Sequence, residues 1–137
     1  YSGISRTSSD VQHSLKTSIS PESRSKSLAK INTLAQSFSQ KLMNHEATFD
    51  YFLEMLSMSW EAKSAVFQKD HITEEIISIY QKAISSGALS GKLLGAGGGG
   101  FFAFFVPPNL QDSFCQKMMP YIAIKASICY SGVERIL

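Results

Sequence analysis

The sequence is short of the features that would give it away at once. No apolar run approaches the ~20 residues needed to cross a bilayer, and no signal peptide is visible. A membrane span is thereby excluded, and a cytoplasmic location is the expectation. Cysteine is scarce: Cys115 and Cys129 are the only two, and neither belongs to a C-x-x-C pair. They read as buried thiols in a reducing compartment, and a zinc site lacks its ligand cluster. Charge is nearly balanced at +2, too small an excess to argue for nucleic acid or an anionic membrane as partner. Repeats, low-complexity tracts and linkers are absent.

What remains is the composition of an ordinary globular protein, 44% apolar and 18% charged. The 137 residues are enough for one domain with a real core. The chain opens at Tyr1 without a methionine, directly into Ser2-Gly3-Ile4-Ser5-Arg6. That stretch has the look of a strand end and its turn, so a fragment cut just inside its domain is expected.

Periodicity supplies the elements. Thr7 to Lys16 is a candidate short helix on a thin apolar face (Val11, Leu15). Ser20-Pro21-Glu22 is a helix start: serine caps free N–H groups, proline suits the first turn, and glutamate favours the positive end of the dipole. Leu28, Ile31, Leu34, Phe38 and Leu42 then recur at helical spacing. A second helix is predicted from about Ala47 to Phe67, with Phe49, Leu53, Leu56, Trp60 and Phe67 as its stripe. Asp70 or Thr73 caps a third, whose buried face is Ile76, Ile77, Tyr80, Ala83 and Ile84 and whose stop is Gly87. Phe101 to Val106 reads as a strand buried on both faces, and Leu110, Phe114 and Met118 as one face of a short helix. Tyr121 to Tyr130 alternates as a half-buried strand, and Val133 to Leu137 forms a last short one. The fold class is therefore α+β, two-layer, with helices packed on a small antiparallel sheet.

One stretch stands apart: Gly95-Ala96-Gly97-Gly98-Gly99-Gly100, between the third helix and the phenylalanine-rich strand. Glycines let another group approach the backbone closely, and successive free N–H groups can form a nest for phosphate. A flexible hinge or tight turn is the plainer alternative. The spacing satisfies G-x-G-x-x-G, but a dinucleotide fold needs a strand before the glycines and a helix after them, and the predicted order is helix then strand. A Walker A loop needs Lys-Ser/Thr after the glycines, where this chain has Phe101-Phe102. An RNA-binding sheet is disfavoured because Phe101 to Val106 carries no charge. His13, His45 and His71 have no acidic or cysteine partners at metal-ligand spacing. Lys63, on the apolar stripe three residues after Trp60, either snorkels its ammonium into water or faces a cleft that takes an anion. The residues thus offer a phosphate-friendly loop without a catalytic constellation.

Lys92-Leu93-Leu94-Gly95-Ala96-Gly97-Gly98-Gly99-Gly100-Phe101 resembles the third motif of the GHMP kinases. Many members carry Thr or Ser where this chain has Leu94 and Cys where it has Phe101. The form seen here is similar to the branch containing the D-glycero-D-manno-heptose 7-phosphate kinases. Tyr1-Ser2-Gly3-Ile4-Ser5-Arg6, Trp60-Glu61-Ala62-Lys63 and Gly87-Ala88-Leu89-Ser90-Gly91 are similar to that branch as well. The resemblance implies a two-domain kinase using ATP and Mg2+, of which residues 1–137 are the ferredoxin-like C-terminal domain. An N-terminal domain would carry a Pro-x-Gly-x-Gly-Ser-Ser-Ala loop and the catalytic base; no such stretch occurs here, so no catalytic residue is assigned to this chain. The implied phosphate-adjacent loop is Gly95, Ala96, Gly97, Gly98, Gly99 and Gly100. Arg6, Trp60 and Lys63 are the candidate substrate-binding residues, Arg6 and Lys63 being able to meet a sugar-phosphate anion. Galactose, fucose or another hexose is the alternative substrate. A free-standing ferredoxin-like binding module is the alternative from outside enzymology.

Overall fold

Helix formation begins where the capping signals lie. The computed structural model describes residues 1–4, 20–67, 74–95 and 99–127. Helix α1 runs Pro21–Met43, with Glu22 in its first turn and Lys41 in its last. It stops at an αL turn, with His45 at φ 56 and the Glu46 N–H reaching back to the Lys41 carbonyl at 2.9 Å. Helix α2, Phe49–Phe67, follows at once. Thr48 caps it, its Oγ1 accepting the Tyr51 N–H at 3.1 Å. The two helices pack as a hairpin through Phe38 against Tyr51 and Phe52, with the Ser37 and Tyr51 hydroxyls 2.8 Å apart.

Helix α3, Glu74–Ser85, buries Ile76, Ile79 and Ala83 and carries Glu74 and Glu75 in its first turn. Gly87 ends that region at φ 113, a conformation L side chains rarely adopt. Strand β1, Ser90–Leu93, then pairs antiparallel with β2, Phe102–Phe105, with Ser90 opposite Phe105 and Leu93 opposite Phe102. A 3-10 turn at Pro108–Leu110 leads into α4, Gln111–Lys117.

Alternation along β2 puts aromatic rings on both of its faces. Phe104 meets Tyr80 of α3 and Phe114 of α4, while Phe105 meets Phe49 and Phe52 of α2. Trp60, Ile76 and Leu93 form one core cluster, with Ile4, Ile77, Tyr80 and Phe102 packed on it. Ile79, Ala83, Ala88, Phe114 and Met118 form the other, and Phe102 touches both. The α+β class is borne out: helices over a small antiparallel sheet, two-stranded among the described residues.

Several expectations are corrected. β1 was not anticipated, so the glycines lie between two strands; without a helix behind them the dinucleotide reading still fails. The Phe101–Val106 strand is shorter and only partly buried, with Phe101 itself exposed. Residues 122–127 adopt no strand and are exposed, Ile122 and Ile124 included. Leu28 and Leu42 of the α1 stripe, Phe49 of the α2 stripe and Ile84 of the α3 face are exposed. Cys115 is an exposed thiol, not a buried one. It follows Phe114 by one helical step, about 100° round the axis from the buried stripe of α4. The 7–16 helix, the 133–137 strand, the Asp70 or Thr73 cap, Cys129, His13 and His71 lie outside the described residues.

Candidate functional site

The β1–β2 hairpin delivers the glycine stretch to one end of the sheet. The Leu94 N–H donates to the Phe101 carbonyl at 2.8 Å, extending the ladder by one pair and leaving Gly95–Gly100 as the loop. The loop's far end is tied to the chain's opening turn. Ser2 N–H donates to the Gly100 carbonyl and Gly100 N–H to the Ile4 carbonyl, both at 2.8 Å. The Ser2 hydroxyl, buried, accepts from Gly100 N–H at 3.1 Å and from Ile4 N–H at 3.3 Å.

These contacts divide the glycines by purpose. At Gly99 (φ +140) a Cβ would stand 2.5 Å from the Ile4 carbonyl oxygen and 2.8 Å from Ile4 Cγ2. That glycine exists so the Ile4 backbone can approach. Gly95 (φ +77) also needs glycine's backbone freedom, but nothing lies within 4 Å of where its Cβ would be. The space above Gly95 is open to a ligand. The Gly100 N–H is already bonded within the chain and is not free to meet a ligand.

Lys63 marks the Gly95 end. Its Nζ donates to the Gly95 carbonyl at 3.3 Å, and among the described residues it has no carboxylate partner. Burial, and then the positive charge of Lys92, hold its ammonium below the ordinary lysine pKa of 10.5. Trp60, one turn earlier on α2, is 6% exposed. Its indole stacks on Tyr80 at 4.5 Å and meets Phe102 edge-on at 5.7 Å. Trp60 therefore anchors the helix turn from which Lys63 reaches the loop. Arg6, Ala96, Gly97 and Gly98 lie outside the described residues.

A hydroxyl network that the sequence reading missed locks the same region. Ser57 of α2 and Ser90 of β1 are 2.8 Å apart at Oγ, and polar interactions with both, and with the Gly91 backbone, act on the acidity of the Tyr80 phenol. Burial raises the Tyr80 pKa above 10.0 and the Glu61 charge adds to the rise, while these interactions pull it down. Ser2, Ser57, Ser90 and Lys92 carry no periodic signature, so pattern reading passes over them. Only the motif-like stretches containing Ser2, Ser90 and Lys92 hinted at them.

A cavity of about 360 Å³ lies elsewhere, lined by Ile79, Phe104, Phe114, Met118 and Tyr121 among others. Neither Gly95 nor Lys63 borders it. Its walls are mainly apolar and no set of cations converges there, so the loop mouth is the better candidate. No group of three or more His, Cys, Asp or Glu that could hold a metal occurs among the described residues.

Comparison with known proteins places this geometry in a class. Residues 39–120 match the family described as GHMP kinases C terminal. The chain belongs to that family. It is also 33% identical over 119 residues to the D-glycero-alpha-D-manno-heptose 7-phosphate kinase of Campylobacter jejuni, an alignment covering 86% of this chain and 34% of the relative. The chain thus spans about a third of the length of that curated relative.

Proposed function

We propose that this chain is the C-terminal domain of an ATP-dependent, cytoplasmic sugar kinase whose substrate is heptose 7-phosphate, phosphorylated at the anomeric hydroxyl. The observation that carries the reading is the open backbone at Gly95 with the Lys63 ammonium 3.3 Å from its carbonyl, in a chain similar to a heptose 7-phosphate kinase. A domain supplied elsewhere in the enzyme holds the nucleotide and the catalytic base. When bound, ATP supplies the phosphoryl group. Phosphoryl transfer asks mainly for positioning and charge stabilisation, which is what these residues offer. The first half of the loop lets a phosphate lie close to backbone. Lys63 brings a cation to it, Trp60 sets the position of Lys63, and Arg6 is a second candidate for the sugar-phosphate anion. The described residues do not fit a Mg2+ cage, so no step is assigned to the metal in this domain.

The test is the complete gene product, incubated with ATP and D-glycero-D-manno-heptose 7-phosphate, galactose or fucose, with the product read by phosphorus NMR. A new anomeric phosphate on the heptose 7-phosphate alone is expected. Preferential turnover of galactose or fucose would replace the substrate. Absence of transfer to every sugar would sink the kinase reading in favour of a binding module. Chain 1–137 by itself is expected to turn over no ATP.

A further inference from the structure

We infer that the Ser57–Ser90 hydroxyl pair is a register lock between α2 and β1, and that both serines are positioning residues which hold Lys63 against Gly95. The inference rests on the kinase reading and deepens it, adding residues that act on the site through Lys63. Helix α2 packs along β1, and three contacts between the two advance together along both segments. Ser57 meets Ser90 with their Oγ atoms 2.8 Å apart. Trp60 shares a buried cluster with Leu93. Lys63 Nζ then donates to the Gly95 carbonyl at 3.3 Å, just past the end of β1.

These contacts differ in what they can fix. Apolar burial is non-directional, so the Trp60 cluster alone tolerates a small slide of the helix. A hydrogen bond between hydroxyls is bound to a distance and an angle, and Ser90 is fully buried, with no water to turn to if Ser57 moves off. Leaving a buried hydroxyl unmet costs more than the bond contributes, so the pair holds α2 at one position along β1. The consequence falls on Lys63. From the serine pair the strand direction advances ~16 Å to Gly95, whereas the helix advances only ~9 Å to Lys63. The lysine side chain therefore has to reach forward to close the gap. Its bond to Gly95 already stands at the long end of the range, which leaves little slack for a helix slipped back by one residue, about 1.5 Å.

The test is a double-mutant cycle on the complete gene product, with ATP and D-glycero-D-manno-heptose 7-phosphate as substrates. Threonine and valine are both β-branched, so Ser57→Thr and Ser57→Val differ chiefly by the hydroxyl. Ser57→Val is expected to lower kcat/KM by roughly 10-fold, short of the ~100-fold that a 1 Å misplacement can cost, and Ser57→Thr to stay within about twofold of wild type. In a Lys63→Ala background Ser57→Val should cost less than about twofold, because the group it acts through is gone. Ser90→Ala probes the pair from the strand side and should show the same coupling. A merely structural pair would lower the melting temperature without coupling to Lys63. Losses that multiply in the double variant, or an unchanged rate in Ser57→Val or in Lys63→Ala, overturn the lock. NMR titration of the lysine side chains gives a readout that needs no turnover: Lys63 should move towards 10.5 in Ser57→Val and Ser90→Ala as its ammonium leaves the loop, and stay as in wild type in Ser57→Thr. A Lys63 unmoved in the first two variants overturns the lock whether or not the enzyme turns over. A Lys63 that moves as expected, in an enzyme that phosphorylates no sugar, supports the lock and sinks the kinase reading alone.

Discussion

Replacing Gly99 by alanine is the most direct test of how the glycine loop is held. Its Cβ would lie 2.5 Å from the Ile4 carbonyl oxygen and 2.9 Å from the Ile4 carbonyl carbon. Ile4 cannot retreat freely. Its carbonyl accepts the Gly100 N–H at 2.8 Å, and its side chain packs on Trp60, Ile76 and Leu93. An alanine at φ +140 carries about 1–3 kcal/mol of backbone strain. Losing the two backbone hydrogen bonds that tie Ser2 and Ile4 to Gly100 adds about 0.5–1.5 kcal/mol each. The sum is about 2–6 kcal/mol, a large share of the ~5–15 kcal/mol that holds a typical domain together. Gly95→Ala is the matched control: it meets no atom within 4 Å and carries only about 1–2 kcal/mol for its left-handed backbone. Scanning calorimetry of the complete gene product should show the Gly99→Ala transition of this domain shifted down by roughly 6 °C or more. Gly95→Ala should shift it less, and hydrogen exchange should show the Gly100 amide losing protection only in the first variant. Equal melting shifts, or a Gly100 amide as protected as in wild type, would refute the division of the loop into a tethered half and an open half.

Three further outcomes follow from the packing and the titrating groups. Trp60→Ala should destabilise the domain by about 3–5 kcal/mol, as for deletion of a large buried aromatic; chemical denaturation measures it, and a loss under 1 kcal/mol would contradict the stacked core position. Lys92→Met should raise the Lys63 pKa towards 10.5, though not all the way, because burial is the larger cause and remains; NMR titration of the lysine side chains reads the shift, and an unmoved Lys63 would separate the two charges. In wild type the unfolded state holds more protons at Lys63 between its lowered folded value and 10.5, so that group makes stability rise with pH across that window. Tyr80 has the opposite sign: its contribution is present below pH 10.0 and lost as pH climbs through its raised folded value. Tyr80→Phe should therefore flatten the alkaline loss of stability; an unchanged alkaline limb would exclude Tyr80 as its source.

The helices were legible because their signals are local. Ser20-Pro21-Glu22, the helical span of α2 and the stop at Gly87 each act within a turn or two, and each appears where the spacing placed it, although Phe49 at the head of the α2 stripe is exposed. β1 was not legible because Ser90-Gly91-Lys92-Leu93 has poor strand propensity. Tertiary contacts make it a strand: Ser90 bonds Ser57, and a Cβ on Gly91 would run into the Phe104 ring and lie 2.8 Å from the Ala103 carbonyl oxygen. The reverse failure is the 121–127 segment, whose alternation is sound but which pairs with no neighbouring strand among the described residues. Alternation states which residues would share a face and says nothing about whether an edge is there to receive them. The site was half legible. The glycines and Lys63 declared themselves by composition and stripe position, whereas the tether through Ser2 depends on contacts between distant parts of the chain.

That contrast bears on why so many glycines stand together. A loop built only to bind phosphate would need open backbone throughout, and a loop built only as a hinge would need none of the close approaches seen here. The first half is open at Gly95 and faced by a lysine that has no acidic partner among the described residues. The second half is sewn to the opening turn by the Ser2 and Ile4 backbone, with Ile4 seated against the Trp60, Ile76 and Leu93 cluster. The cluster containing Trp60 thus supports both ends, with Ile4 packed on it and the helix turn bearing Lys63 rising from it. Fixing one end of a glycine loop lowers the entropy lost when a ligand orders the rest. Glycine is required at Gly99 for the fold and at Gly95 for access. Loosening the tether should therefore weaken phosphate binding even though no tethering residue touches the phosphate, and a Gly99→Ala enzyme with intact affinity would show that the two halves act independently.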